Sequence, residues 1–174
     1  MLYNLNVIVE EKGRFNINGE WFQFGRKQGI NFAEKEKLVA PEISFGGNFT
    51  YDENGRFYSS TTIYGYIKRK GVTDSYKSLL AILNSQLFWW YLVNTGTVLA
   101  NGYFRFMPHY TKPFPMPEIP LKIALSLEKL VDEILVVKAK DKNANTKQFE
   151  EKINDIVFGL YNLTSEEIEL IKKV

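Results

Sequence analysis

The chain has no cysteine and a single histidine in 174 residues. The first absence excludes disulfides, thiolate zinc sites and cysteine nucleophiles. The second leaves His109 as the one imidazole for acid–base work, and no Ser/His/Asp order can be assembled around it. Phosphate-cradling patterns are missing too: neither G-x-G-x-x-G nor G-x-x-x-x-G-K-[ST] occurs. There is no Asn-Pro-Pro-Tyr-type motif of the kind that holds a flipped adenine in amino-methyltransferases. The most apolar window, Leu79 to Val93, is broken by Asn84, Ser85 and Gln86 and is too short and polar to span a bilayer. The first residues lack the basic and apolar regions of a signal peptide. A non-membrane, cytoplasmic chain without its own catalytic or metal site is the expectation, and its abrupt start in a strand-like run suggests a piece of a longer protein.

What is present is an asymmetry. Residues 1–117 carry thirteen Lys/Arg against nine Asp/Glu, and 23 of the 26 aromatics. Residues 118–174 carry nine basic against eleven acidic residues. A basic, aromatic-rich globule followed by a slightly acidic tail suits a nucleic-acid reader. The length fits one domain with an appendage.

The first part is strand-like. Leu5 to Val9, Trp21 to Phe24, Lys37 to Phe45 and Thr61 to Ile67 are rich in β-branched and aromatic residues, with turn residues between them. Pro41 points to an edge or a bulge. Phe49–Tyr51 and Arg56–Tyr58 flank Asp52-Glu53-Asn54-Gly55, which predicts a hairpin because Asn-Gly accepts the positive φ angles of a tight turn. One core helix is predicted from Asp74 or Ser75 to about Asn94, closed by Gly96. Four prolines at 113, 115, 117 and 120 form a stiff connector. Beyond it, the spacing predicts helices over 121–140 and 147–160, and Thr164-Ser165-Glu166-Glu167 is a capping box for a last one. The fold class is therefore α+β: a β-rich globule over 1–117 with one buried core helix, a proline hinge, and a helical tail over 118–174. The apolar residues Leu127, Leu130, Val131, Ile134, Leu135 and Val137 of the second helix require burial against the third helix or a partner.

Candidate binding residues gather in three places. Phe24-Gly25-Arg26-Lys27-Gln28-Gly29 sets two cations and an amide between glycines. Glycine permits close backbone approach, Arg matches guanine O6 and N7, and Gln matches adenine N6 and N7. Lys68-Arg69-Lys70 is the densest basic run and has phosphate-neutralising character. Tyr103 and Arg105, with His109, follow Gly102 on a segment of alternating character. Each has a plain structural counterpart: a solvated turn, a solvated basic loop and a packed aromatic. Trp89-Trp90 reads as core. Glu10-Glu11-Lys12 and Glu150-Glu151-Lys152 have the E-x-K spacing of metal-dependent nucleases, but the first lacks an upstream aspartate and the second lies on a predicted helix.

The ordered set Trp21-Phe22 to Gly25-Arg26, Lys37 then Pro41, Phe49, the Asp52–Gly55 turn, Leu83-Asn84-Ser85, Gly102-Tyr103, Pro115 to Pro117 and Leu160-Tyr161-Asn162-Leu163-Thr164 resembles the TaqI-like C-terminal specificity domain. That domain belongs to type II and IIG restriction–modification DNA adenine methyltransferases. The resemblance implies a chain that reads double-stranded DNA and performs no chemistry itself. It implies an N-terminal methyltransferase domain in the same polypeptide, with S-adenosylmethionine as the parent enzyme's cofactor and an endonuclease as a further fusion. Carried over by residue, Gly25, Arg26 and Gln28 face DNA while Leu83, Asn84 and Ser85 are scaffold. Lys27 stands where members often have a small residue. The competing class is a helical assembly module in which the basic loops are incidental.

Overall fold

The computed structural model describes residues 2–4, 29–58 and 62–174. The predicted strands at Leu5 to Val9 and Trp21 to Phe24 lie outside these residues. The α+β class holds. Four strands, β1 (Leu2–Asn4), β2 (Lys37–Pro41), β4 (Thr50–Asp52) and β5 (Ile63–Lys68), form an antiparallel sheet in the order β1-β5-β2-β4. In its register Leu38 faces Tyr66, Pro41 faces Ile63 and Lys37 faces Asp52. A two-stranded ribbon pairs β3 (Ile43–Ser44) with β6 (Phe104–Arg105).

Pro41 ends β2 beyond its pairing with β4, which covers only Lys37–Val39, so the missing N–H faces a locally open edge. One sequence expectation changes here: the predicted hairpin does not form. Thr50–Asp52 pairs back onto β2, and Arg56–Tyr58 stays irregular because Asp52 captures its amides. Gly55 does take the positive φ that the Asn-Gly pair suggests, at +63°.

The predicted core helix is two helices, α1 (Tyr76–Leu83) and α2 (Gln86–Thr95). The break is local chemistry. Ser75 accepts from the Ser78 amide to start α1, and Ser85 accepts from the Phe88 amide to start α2. Asn84 between them turns its amide group outward. It accepts from the Phe49 N–H and donates to the Phe49 C=O, each at 2.9 Å, as a strand neighbour would. The scaffold role implied for Leu83, Asn84 and Ser85 takes this form. Asn154 supplies one more cap, accepting from the Gln86 N–H at 2.8 Å.

Phe49, Tyr66, Phe88, Phe106 and Phe114 pack ring against ring around these helices, with Trp89 half-buried at the margin. After the short helix α3 (Pro108–Thr111), the proline connector is fixed at two points. Phe114 is buried, and the Tyr161 hydroxyl donates to the Pro115 C=O at 2.7 Å. Helices α4 (Leu121–Lys140) and α5 (Lys147–Leu160) pack on each other and on α1. The last helix, α6 (Ser165–Ile171), begins with the predicted capping box and rests on α2. One continuous core runs from Leu38 to Ile171. Among the described residues no helix is long and apolar enough to cross a membrane.

Asn84→Ala should lower stability by about 1–3 kcal/mol, since it strands two backbone groups of Phe49. Asn94→Ala, which removes only an exposed bond to the Trp90 C=O, should change it little. The midpoints of urea unfolding distinguish the two.

Candidate nucleic-acid interface

The sheet register sorts the candidate residues into two places. The N-terminal end of β2, the C-terminal end of β4 and the C-terminal end of β5 lie together. Lys68, Arg69 and Lys70 are there. Tyr103 and Arg105 sit at the other end, where β2 leaves the sheet and the ribbon begins. The six residues of β5 separate the two groups by about 17 Å. Gly25, Arg26, Lys27, Gln28 and the Glu10-Glu11-Lys12 triplet lie outside the described residues.

A buried ion pair organises the first end. Lys37 is 1% exposed, and its ammonium donates to Asp52 at 2.5 Å, to the Ala33 C=O at 2.6 Å and to the Lys35 C=O at 3.4 Å. Asp52 accepts in turn from the amides of Arg56 at 2.8 Å and Phe57 at 3.0 Å. Burial alone would push the Asp52 carboxyl up. The Lys37 ammonium and the two amides outweigh it and hold the group below its ordinary value. Two segments, 29–36 and 52–57, are thereby tied to one strand end. Tyr58 donates to Glu34 at 2.7 Å and Tyr51 to Glu36 at 2.5 Å, which adds rim contacts between them. Gly55 closes the arrangement. A Cβ there would stand 2.1 Å from the Glu34 carbonyl oxygen, so the turn and the preceding segment touch backbone to backbone.

The three cations of the basic run differ in what they have left to offer. Lys68 is committed: its ammonium donates to the Asp74 C=O at 2.9 Å and lies 4.7 Å from the centre of the Tyr76 ring, while its amide donates to the Tyr76 hydroxyl. Arg69 is half-buried. Lys70 is exposed, at a turn completed by Gly71 with φ +94°.

At the second end, Tyr103 is 46% exposed and meets the edge of Phe45, itself 65% exposed, at 6.2 Å between ring centres. Phe45 also leans on Trp89 at 5.7 Å. Arg105 is half-buried opposite Ile43, with a long 3.9 Å contact from its guanidinium to the Met107 sulfur. Among the described residues it has no carboxylate partner. His109 is exposed beside Tyr110. Glu150-Glu151-Lys152 lies on α5, where Glu150 accepts from Thr146 at 2.6 Å and Glu151 faces Lys147 at 3.8 Å. Among the described residues no group of three metal-ligating side chains converges.

The structure thus adds one residue and one pairing. Phe45 carries no pattern in sequence, because its exposure depends on the chain leaving β2 at Pro41 to form the ribbon. Lys37 and Asp52 both stand in the ordered family set, but they are fifteen positions apart and no sequence pattern pairs them.

A buried ion pair thus holds one strand end, and Lys68, Arg69 and Lys70 stand beside it. The chain belongs to the family of TaqI-like C-terminal specificity domains, whose profile matches residues 8–116. It is a DNA-recognition specificity domain of the restriction–modification type. No curated protein matches the chain.

Lys37→Met should cost about 3–5 kcal/mol, because it leaves the Asp52 charge buried and unpaired. The acid limb of stability should carry the Asp52 signature. A carboxyl held low in the fold stabilises fully above its unfolded value near 3.9 and loses that contribution as pH falls through the folded value. Asp52→Asn should therefore flatten the fall in melting temperature below about pH 4. An unchanged acid limb would remove Asp52 from that role. Gly55→Ala, strained at its φ and clashing with backbone, should cost more than about 2 kcal/mol in urea unfolding.

Proposed function

We propose that this chain is the target-recognition domain of a DNA adenine methyltransferase of a type II restriction–modification system, reading a specific sequence in double-stranded DNA. Membership of the specificity-domain family carries this reading. In it, the catalytic domain lies in the same polypeptide, holds S-adenosylmethionine and flips the adenine, and an endonuclease is a further possible fusion. The present chain holds the duplex in register and penalises wrong bases by roughly 1–3 kcal/mol each.

The roles divide by residue type. Arg26 and Gln28 read base edges, Gly25 lets the backbone approach the duplex, and Lys27 takes a phosphate. Lys68, Arg69 and Lys70 neutralise phosphates, with Lys70 foremost because Lys68 already serves Asp74 and Tyr76. Tyr103 and Arg105 contact the duplex from the other end of the sheet. A restriction–modification reader of this kind works in the cytoplasm.

The test is fluorescence anisotropy of a random-sequence duplex at low and at physiological salt. Wild-type binding should weaken steeply with salt, and Arg26→Ala/Lys27→Ala should lose it. Lys70→Ala should lower affinity on all sequences alike and reduce the salt slope by about one. Absence of binding at low salt would overturn duplex reading by this chain on its own, and a sequence-selective loss in Lys70→Ala would contradict its phosphate role.

A further inference from the structure

Helix α4 buries one face and leaves another uncovered. Leu127 and Val131 are buried where α4 packs on α1 and α5. On the outer face Leu125 is 57% and Val136 56% exposed. Single exposed apolar residues are ordinary, but these two stand eleven positions, about three turns, apart on the same strip. A shallow groove runs along it between Leu125, Lys129, Asp132 and Val136, with Phe149 of α5 at its floor.

The outward residues Lys122, Leu125, Lys129, Asp132, Val136 and Ala139 recur at alternating intervals of three and four, the spacing of a two-helix seam. Their order is self-complementary only when reversed. With a second α4 laid antiparallel, Leu125 meets Val136 of the second copy, Lys129 meets its Asp132, and Lys122 meets its Ala139. The two-fold axis repeats each contact. A parallel pairing would set Lys129 on Lys129 and Asp132 on Asp132, so charge selects the antiparallel form. Asp132 is half exposed, and only its Oδ1 is engaged, 2.6 Å from Lys77 of α1, which leaves Oδ2 for the incoming ammonium.

We propose that the outer face of α4 is a homodimer surface, occupied by a second copy of this chain in antiparallel two-fold pairing with Leu125 against Val136 and Lys129 against Asp132. The surface is small, which places association at the weak end of specific interfaces. The inference is independent of DNA reading.

The chain has no native cysteine, so cross-linking can report the pairing directly. Chains carrying Leu125→Cys and Val136→Cys are mixed in equal amounts and oxidised mildly. The expected product is the mixed disulfide dimer, at about tenfold the yield from either chain alone. In the antiparallel seam two copies of position 125 stand about 16 Å apart along the axis, outside disulfide reach. Sedimentation equilibrium of the cysteine-free chain over roughly 10–500 µM should show mass rising from monomer towards dimer. Lys129→Asp should raise the dissociation constant about tenfold, and Lys129→Asp/Asp132→Lys should recover it, since the reversed charges again face each other. Circular dichroism checks that each variant is folded. Monomer mass at every concentration overturns the proposal. So does preferential self-cross-linking of Leu125→Cys, and so does a dimer indifferent to Lys129→Asp.

Discussion

The buried contact between Lys37 and Asp52 is the constraint on which one end of the sheet depends. Taking two charges out of water costs several kcal/mol per ion, and it is tolerated only where the geometry satisfies both. Here the ammonium spends its donors on a carboxylate and two carbonyls, and the carboxylate accepts two amides besides. A pair of apolar residues of equal size would fill the same space without joining the same segments. The ion pair thus specifies conformation: it decides where residues 29–36 and 52–57 run as they approach the end of the sheet.

Behind the sheet stands a core arranged around the break between α1 and α2. Serine caps begin both helices, and the asparagine between them is spent on the backbone of Phe49. That one residue couples helix to sheet, so the aromatic cluster formed by Phe49, Phe88 and Phe106 has a fixed registry rather than a merely greasy contact.

Much of this was legible in the sequence. The α+β class, the strands near Lys37 and Ile63, the helices over 121–140 and 147–160 and the capping box at Thr164 all follow from periodicity and cap chemistry. The misreadings share one cause, a side chain that captures a group the pattern had given to another partner. Asn84, Ser85 and Gln86 visibly interrupt the apolar run, but that they divide it into two helices rests on the Ser85 cap and on the pairing of Asn84 with Phe49, 35 residues away. The Asn-Gly turn looked like a hairpin, but Asp52 holds the returning strand's amides. Likewise the basic run read as three equal cations until the fold gave Lys68 to Tyr76 and Asp74. For the segment from Gly25 to Gln28, base-matching chemistry in the sequence is the whole basis.

The core's continuity to Ile171 sets an order of events during synthesis. Phe88 and Leu92 on α2 belong to the same apolar cluster as Val157, Phe158 and Ile171. Whatever sheet and helix form early, the nascent chain keeps this side of α2 open until the final turns of helix leave the ribosome. The last tenth of the chain closes the apolar core that its first half begins, and a ribosome that stalls before residue 171 releases an incomplete core.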